Sequence, residues 1–271
     1  MSDITINYKG STIATMDASG TKTLLTQGKY CEDDMEIVYV KPAGGGYTVE
    51  EWLARTSVTG DVVITTSAPA TNYALANTKI TSCSAPNLTN ARTNMFASCS
   101  DLLSVSMQSY TSGSLEYTFY SCSSLTSVSL PSYASGSTTY SFRYCSSLQI
   151  VVFPNFAGTI NSNTFRNCSN LTAIDCKATA INNNNNFDST SLNTLILRGS
   201  FCSLGGINSF NNSPFASSGA GGTLYVPSSL KTQYEQASNW ATILGYANNQ
   251  IKTIEGSTYE THYADGTLIP T

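Results

Sequence analysis

Histidine is almost missing from this chain: His262 is the only one in 271 residues. A Ser-His-Asp or Cys-His nucleophilic arrangement would have to bring that one residue, from a stretch without recognisable pattern, onto the rest of the fold. Charge is scarce too, at 11% of residues with a net charge of −4. No basic face is left for a phosphate backbone, so nucleic acid is excluded as an expected partner. No apolar run reaches the roughly 18 residues of a membrane-spanning helix, which argues against membrane insertion. The opening Met-Ser-Asp-Ile-Thr-Ile has neither the cationic stretch nor the apolar core of a signal peptide. Either a signal has been removed or the chain does not use that export route, and Met1, which reads as a natural start, favours the second. Gly44-Gly45-Gly46 lacks the Lys-Ser/Thr of a phosphate-cradling loop.

What is present is a real hydrophobic fraction, 41%, among abundant Ser, Thr and Asn. It is organised by one pattern, Phe-x-x-Cys-Ser-x-Leu-x-x-Val-x-Leu. The clearest copies are Phe119, Cys122, Ser123, Leu125, Val128, Leu130 and Phe142, Cys145, Ser146, Leu148, Val151, Phe153. Phe96, Phe119, Phe142 and Phe165 stand 23 apart, and Cys99, Cys122, Cys145 and Cys168 keep the same step. A fixed period in the twenties means one supersecondary unit stacked on copies of itself. The Leu-x-x-Val-x-Leu segment reads as a strand with its apolar residues inward. Six or seven such strands about 4.8 Å apart would form a parallel sheet on the order of 30 Å long. The stretches 109–113 and 132–136 read as returning turns. The fold class expected is an α/β-type repeat solenoid dominated by β structure, with helical caps and a small N-terminal β module.

In chain order, residues 1–41 read as that β module. Ile4, Ile6 and Tyr8 alternate with polar residues, a turn follows at 9–11, and 35–40 is a further strand candidate. The acidic run Glu32-Asp33-Asp34 reads as a solvated turn before it. Residues 42–47 form a Gly-rich linker. The solenoid is assigned to 48–222 and opens with a capping helix signalled by Thr48 and Glu51, with Trp52 on its buried side. Its early copies are degenerate, around Val62-Val63-Ile64, Tyr73 and Ile80-x-x-Cys83. Later strands are expected at Leu171, Ile174, Cys176 and at Leu192, Leu195, Leu197. The five asparagines Asn182–Asn186 read as an exposed loop, and 199–222 as a longer excursion. Residues 223–256 are the C-terminal cap: a last strand at 224–227, a helix from Ser228 to about Ala237, then Trp240, Ile243, Ile251 and Ile254. The tail 257–271 carries no pattern.

Chemistry finds few footholds. The acids of the repeats, such as Asp101, Glu116, Asp175 and Asp188, fall at different places in their repeats and form no recurrent pair for glycoside cleavage. The cysteines come singly along a line, which suits buried small hydrophobes better than a tetrahedral metal site or disulfides. No catalytic residue, metal or cofactor is expected. Binding is left. One candidate surface is the outward positions of the strands: Ser104, Ser106, Ser127, Ser129, Gln149, Ile150, Val152, Thr172, Asp175, Asn193 and Thr194. These are rich in hydroxyl and amide groups with an apolar strip at Ile150 and Val152, and the alternative reading is a solvated face. The other is an aromatic row, Tyr110, Tyr117, Tyr133 and Tyr140, that would either stack on sugar rings or pack turns against one another.

The run Phe-x-x-Cys-Ser-Ser-Leu-Thr-Ser-Val-x-Leu-Pro at 119–131 resembles the 23-residue leucine-rich repeat of the BspA-like family. Leu224-Tyr225-Val226-Pro227-Ser228-Ser229-Leu230 with Tyr234, Asn239-Trp240 and Ile251 resembles that family's C-terminal cap. The resemblance implies a curved leucine-rich-repeat stack with a parallel sheet on its concave side, in proteins mostly found on surfaces of host-associated bacteria and implicated in adhesion. It departs from the family at Ser137, where an apolar residue is usual. Residues 4–14 with Gly28-Lys29-Tyr30 also resemble short β modules that open tail and baseplate-associated phage proteins. These likenesses imply a non-catalytic recognition or structural protein. It would be a prophage-type tail or host-attachment component binding a cell-surface glycan or protein, with a homo-oligomer through 1–41, virion-associated. The alternatives are a bacterial cell-surface adhesin for host matrix or mucin, and a glycan-cleaving enzyme.

Overall fold

The computed structural model describes residues 59–64, 75–89, 91 and 93–254, and the backbone of three short N-terminal strands. Those are β1 (Ile4–Tyr8), β2 (Ser11–Met16) and β3 (Lys22–Leu24), an antiparallel meander in the order β1-β2-β3. The expected strand at 35–40, the linker, the capping helix with Trp52, Tyr73, the tail and His262 lie outside the described residues.

From β4 (Thr59–Val63) onward the chain winds through repeated coils. Each contributes a front strand: β5 (Lys79–Ser84), β6 (Ser104–Ser106), β7 (Ser127–Ser129) and β8 (Ile150–Phe153). From there, two-residue strands on a second side alternate with front strands. The series is β9 (Thr159–Ile160), β10 (Ala173–Cys176), β11 (Ala180–Ile181), β12 (Thr194–Leu197), β13 (Ser203–Leu204), β14 (Thr223–Pro227) and β15 (Gln250–Ile254). The second side is itself a parallel sheet, β13-β11-β9, extended by a bridge between Ser112 and Ser135. The stretch expected to be a mere returning turn is thus laddered as well. Gly136 shows why it must be small: a Cβ there would lie 1.7 Å from the Gly113 carbonyl oxygen, and its φ is +142°.

The front strands are parallel, but they do not form one sheet. They divide into β4-β5-β6-β7 and β8-β10-β12-β14-β15, where a single continuous ladder was expected. The division falls where Phe153 takes the place held by Met107 and Leu130 in the two preceding coils. Its larger ring packs edge-on against Tyr133 and Phe156.

Behind the strands each coil closes with a run of turns, and these runs hold the core. Two positions per run take left-handed backbone: Asn94, Tyr117, Tyr140, Asn163 and Asn185 in one column, Ser98, Ser121, Tyr144, Asn167, Ser189 and Asn212 in the next, with φ between 50° and 67°. This conformation turns the chain sharply enough to drive a phenylalanine into the interior once per coil. Phe96, Phe119, Phe142 and Phe165 stack at centroid spacings of 5.4, 5.1 and 5.3 Å with planes within 14° of parallel. Phe187 and Phe210 continue the column at 6.0 and 5.0 Å. Phe210 sits on a 3-10 turn, Ile207–Phe210, and Phe215 is buried beside it. The segment 199–222 is therefore another coil and not an excursion.

The cysteines follow the phenylalanines. All seven described cysteines are buried, and four make the same bond. The Cys99, Cys122, Cys145 and Cys168 thiols donate to the carbonyls of Leu75, Phe96, Phe119 and Phe142 at 3.0, 3.0, 3.1 and 2.9 Å. All four carbonyls also accept the backbone N–H three residues on. The thiol thus links one coil to the coil before it while filling core volume.

The asparagine run is only partly an exposed loop. Asn183 and Asn184 are exposed, but Asn186 is buried, donating to the Asn182 carbonyl at 2.7 Å and accepting from the Thr164 N–H at 3.3 Å. The C-terminal cap has two short helices where one was expected, α1 (Lys231–Gln236) and α2 (Ser238–Leu244), and β15 joins the sheet edge. Trp240 donates its Nε1–H to the Cys202 carbonyl at 2.7 Å, and the Tyr234 hydroxyl accepts from the Cys202 N–H at 2.8 Å. Both polar groups of the last coil's backbone at Cys202 are thereby satisfied under an apolar lid.

Candidate binding face

The outward side of the first front sheet is built from a Ser-x-Ser element used three times. Strand register sets Ser82, Ser104 and Ser127 side by side, and likewise Ser84, Ser106 and Ser129. Alternation along a strand places both serines of each pair on the same face and sends Cys83 and Val105 inward, where both are buried. The rows are bounded by polar side chains. Asp61, in register with Ser82, accepts its hydroxyl at 2.7 Å and that of Thr81 at 3.3 Å. Gln108 donates to Ser106 at 2.8 Å and Ser129 at 3.4 Å. The serines line a shallow depression of about 340 Å³. A second, of about 290 Å³, lies at the division of the sheet between Thr126, Ser127, Val128 and Gln149, Ile150, Val152.

Ser104, Ser106, Ser127 and Ser129 therefore form one surface with Gln149, Ile150 and Val152 beside it. Sequence reasoning missed Ser82, Ser84, Asp61 and Gln108. The repeated Ser-x-Ser was the available signal, obscured because the strand at 79–84 was aligned on its apolar residues alone. Beyond β8 the expected face changes character. Asn193 is exposed and Thr194 half-buried, bonded to each other at 2.9 Å. Thr172 is half-buried and donates its hydroxyl to the Gln149 carbonyl at 3.2 Å.

Asp175 is a correction. It occupies an outward strand position but is fully buried, as are its register partner Ile196 and the Arg198 side chain. Arg198 Nε contacts both carboxylate oxygens, at 2.8 and 3.0 Å. Desolvation raises the Asp175 pKa against the opposing pull of the guanidinium. A strand's period fixes which side a residue faces, and it does not fix whether that side is open. Asp175 is part of the scaffold.

The aromatic row also divides. Tyr110, Tyr133 and Phe156 are buried and stack in that order, at 5.3 and 5.2 Å, as an internal column. Burial pushes both phenols well above their ordinary value. They pack coils and cannot meet a ligand. Tyr117 and Tyr140 are partly exposed on the turn runs.

The carboxylates named as catalytic alternatives do not converge. Asp101 pairs with Lys79 at 3.3 Å, Asp188 with Arg166 at 2.9 Å, and Asp175 with Arg198. Among the described residues no group of three or more His, Cys, Asp or Glu side chains could hold a metal ion. None of the described helices is long and apolar enough to cross a membrane.

The sequence profile of the BspA type leucine rich repeat region matches six copies, over residues 65–114 and 114–217. That is more than half of the 271 residues. The chain belongs to the BspA-type leucine-rich-repeat family. No curated protein matches this family member in sequence. Two solved structures are similar to it. One is a leucine rich cell surface protein from Faecalibacterium prausnitzii, 20% identical with a TM-score of 0.45, covering 74% of this chain and 50% of that one. The other is a leucine-rich repeat protein from Bacteroides ovatus, 18% identical with a TM-score of 0.39, covering 74% and 46%. The leucine-rich-repeat chain described here thus spans about half the length of either.

Proposed function

We propose that this leucine-rich-repeat chain is a non-catalytic recognition module. It would bind a cell-surface glycan through the open front of β5, β6 and β7, with Ile150 and Val152 as an apolar margin. The two in-register serine rows carry the reading. Each hydroxyl is both donor and acceptor, so the rows match the mixed donors and acceptors of an uncharged sugar. Asp61 and Gln108 orient the hydroxyls at the edges of the array. The dispersal of Asp101, Asp175 and Asp188 into separate ion pairs supports binding over hydrolysis. A protein ligand at the same face is the second reading, supported by the exposed Leu103 (50%) and Val63 (39%) near the rows.

Two settings suit such a module. In a prophage-type tail component, residues 1–41 would assemble copies of the chain and the solenoid would read the host surface. In a surface adhesin the same face would meet matrix or mucin. The mass of the full chain in solution separates them: a stable oligomer supports the tail component, and a monomer at micromolar concentration counts against it. For the face itself, the double substitution Ser106→Arg/Ser127→Arg is expected to abolish binding to cell-wall polysaccharides without shifting Tm. Binding that survives both charges would exclude the front sheet.

A further inference from the structure

Five side chains gather on the turn runs of two successive coils, apart from the front strands: Tyr117, Tyr120, Tyr140, Arg143 and Tyr144. Tyr117 and Tyr140 stack at 4.8 Å with 13° between their planes. Tyr120 meets Tyr117 at 5.7 Å and stands edge-on to Tyr144 at 5.7 Å. The Arg143 guanidinium lies over the Tyr140 ring at 5.3 Å and the Tyr144 ring at 4.7 Å, and its Nη2 donates to the Tyr144 hydroxyl at 3.0 Å. None of the five is buried.

Three observations single this patch out. The first is backbone. Tyr117, Tyr140 and Tyr144 occupy left-handed positions where neighbouring coils place small polar residues: Asn94, Asn163 and Asn185 in one column, Ser98, Ser121, Asn167, Ser189 and Asn212 in the other. Asparagine tolerates that conformation and a bulky residue does not, so local folding gives no reason for tyrosine there. The second is charge. Lys79, Arg166, Arg198 and Lys231 each pair with a carboxylate. Arg143, like Lys252, has no such pair among the described residues; its guanidinium is held over two tyrosine rings instead. The third is orientation. Tyr117 and Tyr140 stack face to face across the two coils, an arrangement that leaves ring edges, the electropositive part of an aromatic ring, free of each other. The Tyr144 hydroxyl already accepts from Arg143, which leaves its own proton to donate elsewhere.

The Arg143 cation and the phenol protons call for an oxygen-rich ligand with a negative charge placed at Arg143, away from Glu116, the carboxylate whose charge reaches Tyr117. The patch covers two coils, a span of about 10 Å at the usual strand spacing. That is room for one or two sugar rings and well short of the roughly 800 Å² per partner of a stable protein interface. We propose that this patch is a second binding site, for a saccharide bearing a carboxylate, of the uronic or sialic acid class. Arg143 would pair with the carboxylate, and the tyrosine hydroxyls would donate to ring and hydroxyl oxygens.

The test is calorimetric titration of the full chain, at low salt, with 3′-sialyllactose, trigalacturonate, lactose and a glutamate oligopeptide. At least one acidic sugar is expected to bind saturably, at least tenfold more tightly than lactose. Arg143→Gln and Tyr144→Asn should each weaken it tenfold or more with Tm unchanged, because asparagine suits the left-handed turn. Ser106→Arg/Ser127→Arg should leave this binding intact, which separates this site from the front face. No preference for acidic over neutral sugars, or full binding in the Arg143 and Tyr144 variants, overturns the proposal. Binding of the glutamate peptide in place of the sugars overturns it in favour of an acidic protein partner.

Discussion

The phenylalanine column should behave as a chain of nearest-neighbour couplings, and Phe142 is the place to measure it. Its ring stacks on Phe119 at 5.1 Å and on Phe165 at 5.3 Å, with planes 14° and 8° from parallel. Phe142→Leu keeps an apolar side chain and removes both stacks. A stacked pair is worth about 0.5–1.5 kcal/mol beyond area burial, so two amount to roughly 1–3 kcal/mol. The small cavity left by leucine adds on the order of 0.5 kcal/mol at about 24 cal/mol per Å³. The expected destabilisation is about 1.5–3.5 kcal/mol, read from urea unfolding followed by circular dichroism. A double-mutant cycle isolates the coupling. Phe119→Leu with Phe142→Leu should show about 0.5–1.5 kcal/mol, and Phe96→Leu with Phe142→Leu, two coils apart, less than about 0.5 kcal/mol. Equal couplings for the adjacent and separated pairs, or none for either, would refute the column as a stability element.

Burial raises the thiol pKa of Cys122, Cys145, Cys168 and Cys202 above the ordinary 9.0 and pushes Cys176 up to about 12. Unfolded thiols therefore lose protons at a pH where native ones keep theirs. Stability should be intact below about pH 9 and fall above it by up to roughly 1.4 kcal/mol per pH unit for each thiol; a flat profile to pH 11 would contradict this. The same burial predicts that a thiol reagent labels none of these five cysteines at pH 8 until denaturant is added. Asp175→Ala, which leaves the buried Arg198 without its carboxylate, should cost about 3–5 kcal/mol, whereas Asp101→Ala, at an exposed pair with Lys79, should cost about 1 kcal/mol or less; melting curves of the two variants decide it.

The scaffold was legible because a repeat multiplies weak signals. Phe and Cys on a 23-residue step show their inward positions many times over, and any one of them alone would be ambiguous. Phe210 escaped notice because glycine, serine and asparagine around it hide a rung that stands 23 after Phe187. Strands such as Thr159–Ile160 are too short for a period of two to appear. For Tyr110 and Tyr133 the sequence left both sugar stacking and packing open, and their alignment with Phe156, an apolar residue, was the sign that favoured the interior. Asp175 fails for another reason. Its burial depends on Arg198, 23 residues on, and on cover over that side of the sheet, neither of which a strand pattern encodes. The tyrosine patch needed both columns of left-handed backbone to be visible before its departure from asparagine and serine could mean anything.

The most direct test of the recognition account is binding of the full labelled chain and its Ser106→Arg/Ser127→Arg variant. Both would be titrated against bacterial cells with purified cell-wall polysaccharides, and against animal matrix proteins with mucins. The account predicts saturable binding in at least one panel that the double variant loses while its melting curve stays unchanged. Silence in both panels, or equal binding by both chains, would contradict the front sheet as a recognition surface.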